Sequence, residues 1–287
     1  MNHIGLFVNT TKQDAIACTE MAARVAQDKG MRCYAAPEVF AHFAKETKTF
    51  VEECEYKGFD KYVDAIVSFG GDGTMLAAAK QFSANELPIM GVNLGKLGFL
   101  AEFSVGELED GFNALHKGDF IIEDRTLLEI ILQDDSVFAL NDFVIHKHDF
   151  ARMITIDAMI DGVPVAEYHA DGLIIATPTG STAYSLSSGG PIVAPNCNVV
   201  VITPVSPHSL NMRPLVVPDT AEIALTPGKE SGVTSLVADG QNVCALEPAQ
   251  TVIIRKSERV VKLLKRVQNS YYDLLKNKLL WSIHAKQ

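Results

Sequence analysis

The chain has 287 residues, enough for roughly two domains of about 150 residues each and for a buried core without disulfide or metal staples. Twenty-five Lys and Arg against thirty-five Asp and Glu leave a net charge of −10, which repels phosphate backbones and anionic lipid and argues against nucleic-acid and membrane partners. Hydrophobic residues at 47% and charged residues at 21% are globular values that exclude extensive disorder.

The first residues, Met1-Asn2-His3-Ile4-Gly5, have no basic stretch and no long apolar run, so no secretory signal is expected. Ile4–Val8 reads as a strand, Asp14–Lys29 as a helix closed by Gly30, and Met31–Ala35 as a second strand. A helical stretch is expected from about Glu38 to Tyr56. Ala65–Phe69 is a continuous apolar run ending in glycines, as in a strand buried on both faces. Thr74–Phe82 has helical composition, and Pro88–Leu94 is another buried strand. This βαβαβ rhythm predicts a parallel sheet with helices on its faces.

From about Phe120 the pattern changes. Ile154, Ile156, Ala158 and Ile160 alternate with more polar positions and run into Asp161-Gly162, a hairpin signal. Ala221–Thr226, Ser235–Ala238 and Thr251–Arg255 are short strand-like runs between Gly, Pro and Asp turns, which predicts a β-sandwich. Leu263, Val267, Tyr271, Leu274, Leu275 and Leu279 recur at helical spacing and predict a final helix that packs back on the first domain. The expected domains are residues 1–119 with 264–287, α/β, and residues 120–263, all β. The longest apolar runs, such as Val199–Ile202, are far shorter than the ~20 residues of a membrane span. Five cysteines with no C-x-x-C spacing predict reduced thiols and a cytoplasmic protein.

Gly70-Gly71-Asp72-Gly73-Thr74 follows the buried strand directly. In an open parallel sheet ligands bind at the carboxyl ends of strands, and glycines let the backbone approach a phosphate closely. A carboxylate amid those glycines repels phosphate unless it has another task, and accepting a proton from a hydroxyl is the natural one. A plain Gly-Asp-Gly turn is the alternative. The segment is neither a P-loop nor a G-x-G-x-x-G fingerprint.

Asp171–Ser185 runs from a strand into a dense group of small hydroxyl residues and one tyrosine. Small side chains leave room for a ligand, hydroxyls suit ribose or phosphate, and the ring can flank a base. A solvated Ser/Thr loop is the plainer reading. Asn141-Asp142 offers an amide and a carboxylate to a sugar diol, or a turn. Asp239-Gly240 is most economically a hairpin turn. His146 and His148 share a strand face, but no third metal ligand is apparent.

Taken together, Gly70–Thr74, Gly91–Leu100, Asn141-Asp142, Asp171–Ser185 and Tyr271–Leu275 resemble the bacterial NAD kinases in order and spacing across nearly the whole chain. GGDGT alone is shared with lipid kinases and has a close relative in phosphofructokinases, but the lipid kinases usually add a Gly-Thr-Gly-Asn-Asp segment. The resemblance implies an α/β domain joined to a β-sandwich, a site between the domains, and homodimers or homotetramers. It implies transfer of phosphate from ATP, with a divalent cation (Mg²⁺), to the 2′-hydroxyl of the adenosine ribose of NAD, giving NADP. By position Asp72 is the general base, and Gly70, Gly71, Gly73 and Thr74 form the phosphate-binding loop. The implied NAD pocket takes in Asp72, Gly73, Asn141, Asp142, Asp171, Thr179, Thr182, Ala183, Tyr184, Ser185, Leu186 and Ser187. Arg152, His169 and Gln241 align with further binding positions, and His169 stands where several relatives carry arginine. The metal ligands are not assigned. The rival readings are a lipid or small-alcohol kinase of the same superfold and a non-catalytic NAD(P)-binding module.

Overall fold

The computed structural model describes residues 1–11, 13–95, 98–132, 135–148, 153–267 and 270–281. The chain divides into two compact units, residues 1–124 with 261–287 and residues 125–260.

Unit 1 opens with β1 (His3–Val8), α1 (Gln13–Asp28), β2 (Arg32–Ala35), α2 (Pro37–Phe40), β3 (Val51–Glu53), α3 (Phe59–Tyr62) and β4 (Ala65–Phe69). It continues through α4 (Asp72–Phe82), β5 (Ile89–Asn93), β6 (Phe103–Ser104) and α5 (Leu108–Lys117). Strands β1 to β5 pair in parallel in the order β3-β2-β1-β4-β5. The chain winds outward one way from β1 to β3 and then returns to the other side of β1 as β4. The carboxyl ends of β1 and β4 thus flank a topological switch point, where ligands of open α/β sheets bind. Strands β4 and β5 are buried along their whole length, which explains their unbroken apolar sequence. Helix α1 buries Ala15, Cys18, Ala22, Ala23 and Ala26, a stripe of small residues at helical spacing. Gly30 closes it at φ +72°, a left-handed cap.

Unit 2 contains the rest of β7 (Phe120–Leu132), then β8 (Asp135–Ala139), β9 (Asp142–Lys147), β10 (Ile154–Ile160), β11 (Val163–Ala170) and β12 (Gly172–Ala176). A short helix α6 (Tyr184–Ser187) precedes β13 (Val199–Val205), β14 (Leu215–Pro218), β15 (Ile223–Pro227), β16 (Thr234–Ala238) and β17 (Gln241–Leu246). One antiparallel sheet runs β14-β13-β12-β9-β16-β17, and β11-β10-β15 continue into β18 (Val252–Arg266) with β7 and β8 alongside. The core holds Phe143, Ile145, Leu173, Ile175 and Leu236 with Ile156, Leu225 and Ile254, inward-facing residues of the two sheets of a β-sandwich. Asp161 and Gly162 sit at φ +50° and +75° in the β10–β11 turn, and Asp239 and Gly240 at +48° and +75° in the β16–β17 turn. Both Asp-Gly pairs therefore form hairpin turns with two consecutive left-handed residues.

The end of β18 returns to unit 1, where Leu263 pairs in parallel with Ile89 of β5, and helix α7 (Tyr271–Leu279) closes that unit. Ser270 caps α7, its hydroxyl accepting from the Tyr272 amide at 3.2 Å.

Two expectations are corrected and a third is extended. Glu38–Tyr56 is not one helix: α2 stops at Phe40, and Val51–Glu53 is an edge strand whose Val51 pairs with Cys33 of β2. Thr47–Thr49 forms a 3-10 turn, and burial of the β-branched Val51 in the pairing with β2 overrides the helical composition around it. Nor does the final helix begin at Leu263, which with Leu264 is buried in β18, so the shared spacing with Tyr271 is coincidental. Thr251–Arg255 is likewise only the beginning of that 15-residue strand.

Candidate active site

In unit 1 the buried strand β4 is followed by Gly70, whose amide donates to Val92 O at 3.0 Å and holds the turn against β5. A Cβ on Gly70 would meet Thr74 Oγ1 at 2.1 Å, so the turn closes only with glycine there. Helix α4 starts at Asp72, two residues earlier than its composition suggests, with Gly71 as N-cap. Asp72 is therefore in the first turn, where free backbone amides and the helix dipole favour negative charge. Its Oδ2 accepts from the Phe99 amide at 3.0 Å and its Oδ1 from the Leu100 amide at 3.1 Å. Around Gly71 and Gly73 a Cβ would meet nothing within 4 Å, so the loop leaves open space on its outer side.

Unit 2 contains a cleft of about 860 Å³ lined by Asn141, Asp142, His146, Lys147, His148 and Asp171, with Ala183, Tyr184, Ser206, Val237 and Asp239 among the others. Strands β9 and β12 are neighbours, Ala176 opposite Asp142 and Gly172 opposite His146, which brings the two sequence motifs together. The turn before β9 is fixed from two sides. Thr177 donates its hydroxyl to Leu140 O at 2.6 Å and its amide to Asn141 O at 2.9 Å. From the β16–β17 turn, Asp239 accepts from the amides of Leu140 (2.9 Å), Asn141 (2.7 Å) and Asp142 (3.2 Å). Burial, with the Asp239 carboxylate beside it, pushes the Asp142 carboxyl up to about 7. Asp171 is held by Lys147, Nζ to Oδ1 at 2.5 Å. Tyr184 is 47% exposed and lines the cleft.

Asn141, Asp142, Asp171, Ala183 and Tyr184 thus line one cleft, while Asp72 and the glycine loop belong to unit 1. Several hydroxyls of the Ser/Thr segment are engaged within the chain instead. Ser185 Oγ bonds Thr203 Oγ1 at 2.8 Å, Thr182 Oγ1 donates to Thr179 O at 3.1 Å, and Thr179 Oγ1 accepts from Arg125 at 3.3 Å. Leu186 and Ser187 complete α6. Gln241 begins β17 and is exposed. His169 lies on β11, its ring bonded to Thr155 Oγ1 at 3.0 Å and Glu167 Oε1 at 2.7 Å. Arg152 lies outside the described residues. Among the described residues no three metal-binding side chains converge, and His148 instead bonds Ser235 Oγ at 3.0 Å.

Two cleft residues escape sequence reasoning. Asp239 has the signature of a turn, which it is, while its carboxylate organises a segment 97 to 99 residues away. Lys147 shows no motif, and only its alternation with the neighbouring histidines places it on a strand.

A family model described as the ATP-NAD kinase N-terminal domain matches residues 4–120, and one described as the ATP-NAD kinase C-terminal domain matches residues 140–266. The NAD kinase of Gemmatimonas aurantiaca is 42% identical over 247 residues, covering 83% of this chain and 85% of its own. That of Syntrophotalea carbinolica is 37% identical over 286 residues, covering 98% and 99%. Among solved structures, an NAD kinase from Archaeoglobus fulgidus in complex with ATP superposes with a TM-score of 0.75 at 25% identity, covering 97% of this chain and 98% of that one. Yeast NADH kinase complexed with NADH shares the fold with a TM-score of 0.88 at 24% identity, covering 100% and 89%.

Proposed function

The chain belongs to the NAD kinase family, and from that premise we infer that it works as an ATP-dependent NAD kinase with Asp72 as its base. It phosphorylates NAD with ATP to give NADP and ADP. A bond forms between the 2′-oxygen of the adenosine ribose and the γ-phosphorus, and the bond from that phosphorus to the β,γ-bridging oxygen breaks. The hydroxyl proton passes to the Asp72 carboxylate. A ribose hydroxyl is a poor nucleophile, and phosphoryl transfer gains most from positioning and charge neutralisation, so a carboxylate fixed by two amides meets the need.

The glycine loop Gly70, Gly71, Gly73 and Thr74 receives phosphate through open space and helix-terminal amides. The unit 2 cleft takes NAD, with Asn141 and Asp142 at a ribose diol and Tyr184 flanking a ring. Asp171 and Ala183 also line the cleft. Thr182 donates its hydroxyl within the chain and Ser185 is buried against Thr203, so these two shape the segment around α6, while Thr179, which accepts from Arg125, keeps its own hydroxyl proton to donate. Arg152, His169 and Gln241 are assigned as further NAD contacts on resemblance. Mg²⁺ enters as the counter-ion of the ATP phosphates, which commonly dominate its coordination shell, and no step is assigned to it. Exposed Val163 and Val165 on the edge strand β11 support a homodimer or homotetramer, and five unpaired thiols support a cytoplasmic location.

The observation that carries the enzymatic reading is Asp72 itself. A module that only bound NAD(P) would have no use for a carboxylate amid the phosphate-loop glycines. The test incubates the protein with NAD, ATP and Mg²⁺ and follows NADP through an NADP-specific dehydrogenase. Signal dependent on all three components supports the kinase, and NAD binding without NADP supports the module.

A further inference from the structure

We propose that Gly98 is a positioning residue for the Asp72 carboxylate, an inference that rests on the reading of Asp72 as the base. The carboxylate's orientation is set by consecutive backbone amides, those of Phe99 and Leu100 at 3.0 and 3.1 Å. The residue just before them is Gly98. A Cβ built there would lie 2.0 Å from Asp72 Oδ1, 2.6 Å from Cγ and 2.9 Å from Oδ2, and these three Asp72 atoms are its nearest neighbours. The volume a side chain would fill at residue 98 is therefore the volume the carboxylate occupies.

Space at this position demands glycine. The colliding group is the far end of a side chain, which can rotate away, so the chain need not unfold to accept a methyl group. What yields is the carboxylate, which leaves its two amides and the place from which it would take a proton.

Gly98→Ala therefore lowers kcat by about 10- to 100-fold, the scale of a displacement near 1 Å in a reacting group. It leaves the Kd for NAD within about 2-fold and Tm within a few degrees. Non-additivity separates positioning from a general structural effect: in an Asp72→Asn background, where no base remains to be placed, Gly98→Ala adds little further loss. The experiment measures kcat, NAD affinity by calorimetry, and Tm for both single variants and the double variant. If Asp72→Asn retains near-normal turnover, the base assignment fails and this inference with it. If Asp72→Asn is inactive while Gly98→Ala keeps wild-type kcat, the inference alone is overturned. It is also overturned if Gly98→Ala loses NAD affinity or Tm in proportion to activity, or if the two losses multiply.

Discussion

The glycine loop of unit 1 and the turn before β9 in unit 2 use the same device for different ends. In each, an aspartate gathers consecutive backbone amides from a distant segment: Asp72 those of Phe99 and Leu100, Asp239 those of Leu140, Asn141 and Asp142. Asp72 stands half-buried at the start of an 11-residue helix beside two glycines with open space around them. Asp239 presses against a second acid, Asp142, which is only 4% exposed and whose carboxyl rises to about 7. Two amides thus hold one carboxylate still and three the other, while their surroundings differ. An open helix N-terminus keeps Asp72 accessible, whereas the Asp239 carboxylate is engaged by three amides beside the buried Asp142.

The sharpest way to break this comparison is at Asp72. Asp72→Asn keeps the shape and one acceptor oxygen but removes the proposed base, and turnover is expected to fall by about 10²- to 10⁴-fold while NAD still binds. Near-normal steady-state turnover would put both aspartates in the organising class. Asp239→Ala strands three amides and costs about 1–3 kcal/mol of unfolding free energy, accompanied by a higher KM for NAD, since the Asn141–Asp142 backbone loses its clamp. Chemical denaturation and initial rates measure the two effects, and a variant that loses kcat with KM unchanged would give Asp239 a chemical role instead.

The third test is pH. A folded-state value near 7 against the usual range near 4 means that the folded protein binds more protons than the unfolded chain between those limits. This contribution to stability is fully present below about pH 4 and is lost as pH rises through 7, at up to about 1.4 kcal/mol per pH unit. Asp142→Asn flattens that slope in denaturation curves of the ligand-free protein, and an unchanged slope would remove Asp142 as its source. The smallest effect belongs to the partly exposed pair of Lys147 and Asp171. Lys147→Met costs at most about 1 kcal/mol, read as a rise in KM for NAD of no more than about 5-fold. A larger change would mean that Lys147 touches the dinucleotide itself.

How far the sequence predicts these features depends on the range over which their causes act. The Asp161-Gly162 and Asp239-Gly240 turns and the buried run Ala65–Phe69 declare themselves within a few residues, because φ preferences and continuous burial are local properties. Val51–Glu53 and Leu263 mislead because their strand state comes from pairing with Cys33 and Ile89, partners outside any short window. In the site, the motif residues Asn141, Asp142, Asp171 and Tyr184 stand out by type. The carboxylate that positions two of them does not, since 97 to 99 residues separate Asp239 from its amides. The Ser/Thr run shows the opposite failure: a composition suited to ligand binding conceals hydroxyls such as that of Ser185, fully buried against Thr203.

The acids of the unit 2 cleft bear on how a chain of net charge −10 takes up an anionic dinucleotide at the proposed site. Of the carboxyls lining it, Asp142 is pushed up to about 7 by burial and by Asp239, Asp171 is matched by an ammonium group, and Asp239 accepts from three amides. The net negative charge repels an anionic nucleotide from afar, while inside the cleft the Lys147 ammonium offsets the Asp171 carboxylate. Capture is then governed by contact distances rather than by attraction across solvent, and ions that shorten the Debye length ease the approach instead of hindering it.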